Sequence, residues 1–201
     1  MAATKEDWFE KLQGELEKKK EEILKDISTE STKRSELNRN IIEDFWKIWI
    51  QFNNINVHFK MEPWYDKWIS HFEEFPTKWI VKKDFDFSRV WKVSLVDITR
   101  DQDRIGDSLK IIYYNTDSGE KLRMIFEFSE GEKYDKYSGW KRIYSQYVLY
   151  DETVNKASID KIREILLKVI PVWYESHLKG DRNVIIEFIK KNFPKGATFT
   201  D

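Results

Sequence analysis

The chain contains no cysteine, which excludes a disulfide framework, a Cys-ligated zinc or iron–sulfur centre and a thiolate nucleophile. Its three histidines, His58, His71 and His177, do not stand in any pair that would put two imidazoles on one face of one element, as a histidine metal site requires. Glycine is scarce at seven residues, and those seven are scattered. No glycine-rich loop cradles a phosphate, and the nucleophile elbow and the two-histidine metalloprotease helix are missing as well. A net charge of only −1 gives no global field to draw the chain onto nucleic acid or an anionic membrane. The longest apolar stretch, Ile165 to Tyr174, is broken by Lys168 and Pro171 and falls short of the ~20 residues that span a bilayer. The first residues lack the basic start, apolar run and small-residue cleavage site of a secretory signal. Together these absences describe a cytoplasmic protein, not bound to membrane, with no cofactor and no catalytic constellation.

What is present supports one folded domain over 1–201. Apolar residues make up 40% of the chain and charged residues 35%, enough for both a core and a solvated surface. At this length about 70% of the unfolded chain's surface is buried on folding. The expected class is α+β. It comprises an N-terminal helical hairpin (1–53), an antiparallel meander of four to five strands with a strand–helix crossover (54–157), two C-terminal helices packing on the sheet (158–193), and a loose tail (194–201).

The elements follow from periodicity. Trp8, Phe9, Leu12, Leu16, Ile23 and Ile27 recur at helical spacing between alternating Glu and Lys, a thin stripe suited to a partner helix or to self-association. The polar STESTKRS, 28–35, is rich in capping residues and reads as a turn before a second helix, where Leu37, Ile41, Phe45, Ile48 and Phe52 form one stripe and Ile42, Trp46 and Trp49 another. Ile55, Val57, Phe59 and Met61 alternate with polar residues as a strand, and Pro63 opens a short helix through Phe72. A short strand is expected near 79–81. Strands are then expected at 89–99, 108–115, 121–128 and 141–150, joined by DQDRIGD, NTDSG and the longer loop SEGEKYDKYSG. Leu122, Met124, Phe126 and Phe128 supply a covered face, against Lys121, Arg123 and Glu127 on a partly wet one. Ser158 opens a helix kinked at Pro171 and stopped by Gly180, and Asp181 caps a last one.

Four constellations carry chemistry. The chain holds 9 Trp, 9 Tyr and 13 Phe; most of them fill the core, while Tyr113, Tyr144 and Tyr147 are candidate walls of a ligand site on the sheet. The loop KYDKYSGWKRIY interleaves Lys133, Lys136, Lys141 and Arg142 with Tyr137, Trp140 and other rings. Single-stranded nucleic-acid binders use this mixture, since bases stack on rings while cations track phosphates. Glu127, Glu130 and Glu132 just upstream weigh against it, so nucleic acid is not the favoured partner. Asp97, Asp101, Asp103 and Asp107 cluster around one turn and can hold a divalent cation, although the ligand spacing of a calcium loop is incomplete and Asp is common in turns. A small metal-dependent hydrolase around Asp97, Asp101 and His58 is the enzymatic alternative. The leading expectation is a non-enzymatic binding protein that either meets a protein partner, or a second copy of itself, through its N-terminal helix, or holds a small ligand on its aromatic sheet face.

Overall fold

In the computed structural model the described residues are 5–65, 90–98, 106–117, 119–137 and 139–200. Among them the class is α+β, with antiparallel strands and C-terminal helices packed on the sheet. The hairpin expected at the N-terminus is instead one helix, α1, Lys5–Asn53, 49 residues long, which at 1.5 Å per residue extends roughly 70 Å. The turn expected at 28–35 does not form. STESTKRS contains neither Gly nor Pro to break the ladder of hydrogen bonds, and tertiary bonds hold its C-terminal end and the turn after it. Arg34 donates from Nη1 to Glu120 Oε1 at 2.7 Å and from Nη2 to the Val90 carbonyl at 2.9 Å, and Asn38 Nδ2 donates to the same carbonyl at 3.0 Å.

The helix ends at Asn53. Asn56 adopts a left-handed φ of 58°, a conformation Asn tolerates better than most residues, and the Val57 amide turns back to the Phe52 carbonyl at 3.1 Å.

Six strands follow among the described residues: β1 Phe59–Tyr65, β2 Val90–Asp97, β3 Ser108–Thr116, β4 Gly119–Asp135, β5 Gly139–Thr153 and β6 Gly196–Thr200. Every neighbour is antiparallel and their order in the sheet is that of the chain. Residues 63–65 belong to β1 and not to a helix, while the helix expected through Phe72 and the strand near 79–81 otherwise lie outside the described residues. The 129–139 segment is mostly not a loop. β4 and β5 pair as far as Asp135↔Gly139, with a register shift between Ser129 and Gly131, where Gly131 takes a φ of 115° that favours glycine. The tail expected to be loose forms β6, which lines up against Ile143–Tyr147 of β5. Gly196 is needed there, because a Cβ would come within 2.3 Å of the Tyr147 ring.

α2, Ser158–Lys179, runs through Pro171 as one helix. Proline cannot donate to the carbonyl four residues back, and that residue, Leu167, is an exposed one. α2 ends at Gly180, whose φ of 64° allows the Asp181 amide to reach the Ser176 carbonyl at 3.0 Å. Asp181 Oδ1 then accepts from the Asn183 amide at 3.0 Å, opening α3, Asn183–Asn192.

One core joins these layers. Leu37, Ile41, Phe45 and Phe52 of α1, Val93 and Leu95 of β2, Leu109 and Ile111 of β3, Leu122 to Phe128 at alternate positions of β4, Ile162, Leu166, Val169 and Trp173 of α2, and Ile185 and Ile189 of α3 are all buried together. Trp173 is its hub, with ring centroids 5.5 Å from Phe52, 4.8 Å from Phe59 and 4.8 Å from Phe126.

Candidate interaction site

The two halves of α1 have opposite environments. Leu37, Ile41, Ile42, Phe45 and Phe52 are buried in the core and Trp46, Ile48 and Trp49 pack half-buried against it, whereas residues 13–25 are exposed at every position. Leu16, Ile23 and Leu24 are 58%, 58% and 55% exposed. They stand about five helical turns, roughly 18 residues, before Arg34, Ile41 and Ile42, so they share the rotational positions of residues that face the body. The apolar edge of the free segment therefore continues the line of the buried stripe and runs on past the body with nothing seated on it among the described residues.

This arm is not held by its own propensity. Gly14 lies in it, a residue that costs a helix about 1 kcal/mol relative to alanine, and Lys18, Lys19 and Lys20 are consecutive. Glu15 with Lys19, and Glu21 with Lys25, are i,i+4 pairs in the favourable order, each contributing about 0.2–0.5 kcal/mol. An unpacked helix of this length is marginal in water. Covering each of its three large apolar side chains is the larger available term, about 1.5–3 kcal/mol apiece.

The second exposed feature is the tip of the β4–β5 ribbon. Tyr137 is 87% exposed, Trp140 70% and Tyr134 60%. Tyr134 and Trp140 face each other across the strands, edge to face at 5.5 Å, and Lys136 Nζ sits 4.9 Å from the Tyr137 ring. Lys133 is paired with Lys141 in the register. Rings and cations thus do come together here, but Glu130, Glu132 and Asp135 match Lys133, Lys136 and Lys141 in number. Arg142 is occupied elsewhere: its Nη2 is 2.9 Å from Glu127 Oε1 and its guanidinium lies over Tyr144 at 5.3 Å.

Glu127 itself is not on a wet face. It is 1% exposed and its carboxylate meets Lys110 Nζ at 2.6 Å, Gln146 Nε2 at 2.9 Å and Arg142. Burial pushes its carboxyl up, but Lys110, the Gln146 hydrogen bond and Arg142 together leave it below the usual carboxylate value.

The three candidate tyrosines do not share a wall. Alternation along the paired strands puts Tyr113, opposite Leu122, and Tyr147, opposite Phe126, on the core face, and Tyr144, opposite Ser129, on the other. Tyr113 is buried beneath the Arg34 guanidinium, 4.9 Å from its ring centroid. Its hydroxyl has no hydrogen-bond partner among the described residues, and burial drives its ionisation far above the usual tyrosine value.

Of the four aspartates, Asp101 and Asp103 lie outside the described residues. Asp97 and Asp107 do come together, with the Asp97 amide donating to the Asp107 carbonyl at 2.8 Å and Gly106 packed so closely that a Cβ would fall 1.9 Å from the Asp97 carbonyl oxygen. Each carboxylate meets a basic side chain from the C-terminal helices. His177 Nε2 lies 3.3 Å from Asp97 Oδ2. Arg182 bonds both oxygens of Asp107, at 2.8 and 2.6 Å, and the Ser129 carbonyl at 2.7 Å. Its hydrogen bond to Asp107 raises the guanidinium above its ordinary value. His58, expected beside Asp97, is exposed, and its carbonyl accepts from the Ile98 amide at 2.9 Å. Among the described residues no three His, Asp or Glu side chains gather as metal ligands, and no helix is long and apolar enough to cross a membrane.

The His177 and Arg182 contacts leave no mark in any local pattern, because they join residues about 80 positions apart. The only local signal was the basic pair itself, flanking Gly180 at the end of a helix. Comparison with family models, with curated proteins and with solved structures finds no match to this chain.

Proposed function

We propose that the chain is a non-enzymatic interaction protein, in which a sheet-and-helix body carries a projecting helical arm that docks against another helix. The observation that carries this reading is the exposure of residues 13–25 around the whole helix circumference, with Leu16, Ile23 and Leu24 on the line of the buried stripe. An apolar edge of this kind, flanked by alternating charge, is what a partner helix covers in helix-on-helix docking.

Hydrogen exchange of the full chain at high dilution tests it. Amides of 13–25 are expected to exchange orders of magnitude faster than those of 41–52, because only the latter are locked by core packing. Equal protection of both segments in the dilute monomer would mean that the arm is already covered, and the reading would be wrong.

A second reading is favoured by the three exposed rings at the ribbon tip: single-stranded nucleic acid stacking on Tyr134, Tyr137 and Trp140. With charges balanced there, retention of a labelled single-stranded oligonucleotide on a filter is expected to be weak and lost in moderate salt. No retention at low salt, or the same retention by a Trp140→Ala variant, would remove this reading.

A further inference from the structure

The arm's charge sequence is self-complementary, and we infer that its partner is a second copy of the same arm, packed antiparallel and crossing at Lys20–Glu21. The inference rests on the docking reading above and names the occupant.

The argument is one of register. Residues 15–25 read Glu-Leu-Glu-Lys-Lys-Lys-Glu-Glu-Ile-Leu-Lys, with four acids and four bases, so two arms bring no net charge together. When two copies run antiparallel about a twofold axis, each flank of one helix meets the same flank of the other. With helical steps of about 100°, Lys19 and Glu22 fall on one flank of the edge formed by Leu16, Ile23 and Leu24, Glu21 falls on the other beyond Leu24, and Lys20 stands on the edge between Leu16 and Leu24. A crossing between 20 and 21 sets Lys19 level with Glu22 of the second copy and Lys20 level with Glu21 of the second copy. Each pairing occurs twice by symmetry. In the same register Leu16 lies within about one residue's rise, 1.5 Å, of the level of Leu24 of the second copy, and within about two residues' rise, 3 Å, of the level of Ile23 of the second copy. The apolar residues therefore interleave on either side of a central lysine step. A parallel pairing lacks this match. It sets Lys18, Lys19 and Lys20 level with the same three lysines, and like charges at such positions are disfavoured.

The residues concerned are exposed and outside the core, so variants here leave the body intact, which near-ultraviolet circular dichroism of the buried Trp173 can verify. Sedimentation of the full chain over a concentration series, with hydrogen exchange at both ends of that series, gives the test. A reversible rise to twice the monomer mass is expected, accompanied by new protection of amides 13–25. The double variant Leu16→Asp, Leu24→Asp is expected to remain monomeric. Lys19→Glu, which sets Glu against Glu22 of the second copy twice, is expected to weaken the dimer about ten- to thirty-fold. Adding Glu22→Lys to it restores opposite signs and is expected to recover most of the loss, a rescue that an effect on helix stability alone would not produce.

A chain that stays monomeric, with 13–25 unprotected at all concentrations, overturns the self-pairing and leaves the docking reading standing. A monomer whose arm is protected throughout overturns both. A dimer indifferent to all of these variants places the interface elsewhere and also overturns the inference.

Discussion

Glu127→Ala is expected to cost about 3–5 kcal/mol of stability, because it strips the counter-charge from two cations held against a covered part of the sheet. Lys110 and Arg142 have side chains only 13% and 16% exposed, so neither regains full hydration when the carboxylate is removed. Glu127→Gln keeps the shape and part of the hydrogen bonding but not the charge, and is expected to fall between wild type and alanine.

The sign of the pH dependence follows from the direction of the shift. The native carboxyl lies below its ordinary value of 4.5, so its contribution is complete above that value and is lost as pH falls through the native one. The gap between wild type and Glu127→Gln in urea unfolding is therefore expected to be widest near neutrality and to close below about pH 4.5. A gap that persists unchanged at pH 3 would contradict the pairing.

Trp173→Ala is expected to be as damaging, about 3–5 kcal/mol, for a different reason. Trp173 is 1% exposed and its ring touches α1 through Phe52, β1 through Phe59 and β4 through Phe126. Truncation opens a void where three elements meet, and partial collapse can recover little because their backbones are fixed by the sheet. Urea unfolding should show the midpoint fall with the slope unchanged. A loss below about 1 kcal/mol would mean that these elements are not joined through this ring.

Much of this core was legible in the sequence. The alternation of Leu122, Met124, Phe126 and Phe128, and the helical spacing of Ile162, Leu166, Val169 and Trp173, encode burial locally, and all eight are buried. The failures share a cause. STESTKRS has the composition of a cap, yet Arg34 at its end and Asn38 in the turn after it tie the helix to Val90 and Glu120, contacts that no local pattern reveals. The outer part of the β4–β5 ribbon projects with both faces largely wet, so it lacks the apolar alternation that marks a strand. Residues 196–200 pair because the edge of β5 is there to receive them. The period of two places Glu127 on the partly wet side of the sheet, a pattern that gives the side but not what covers it.

At the site, the thin stripe through Leu16 and Ile23 was visible as a helix in want of a partner. What the sequence could not give was that the segment lies beyond the body's reach, since that depends on where α1 begins to pack. The pairing of Asp107 with Arg182 illustrates the same limit: a turn aspartate looks like a cap or a metal ligand until a helix from the far end of the chain supplies its guanidinium.

The absence of native cysteine allows the arm's direction of pairing to be read from single engineered thiols. Lys20 and Gln13 are both exposed and both lie towards the apolar edge. In an antiparallel pair crossing at Lys20–Glu21, two Lys20→Cys chains bring their Cα atoms near the range a disulfide spans, about 4.4–6.8 Å. Two Gln13→Cys chains are then held about 22 Å apart along the axis. Under mild oxidation Lys20→Cys is expected to form a covalent dimer and Gln13→Cys is not. Cross-linking of both would indicate parallel arms, and cross-linking of neither, at concentrations where wild type is examined for dimer, would contradict pairing of the arms altogether.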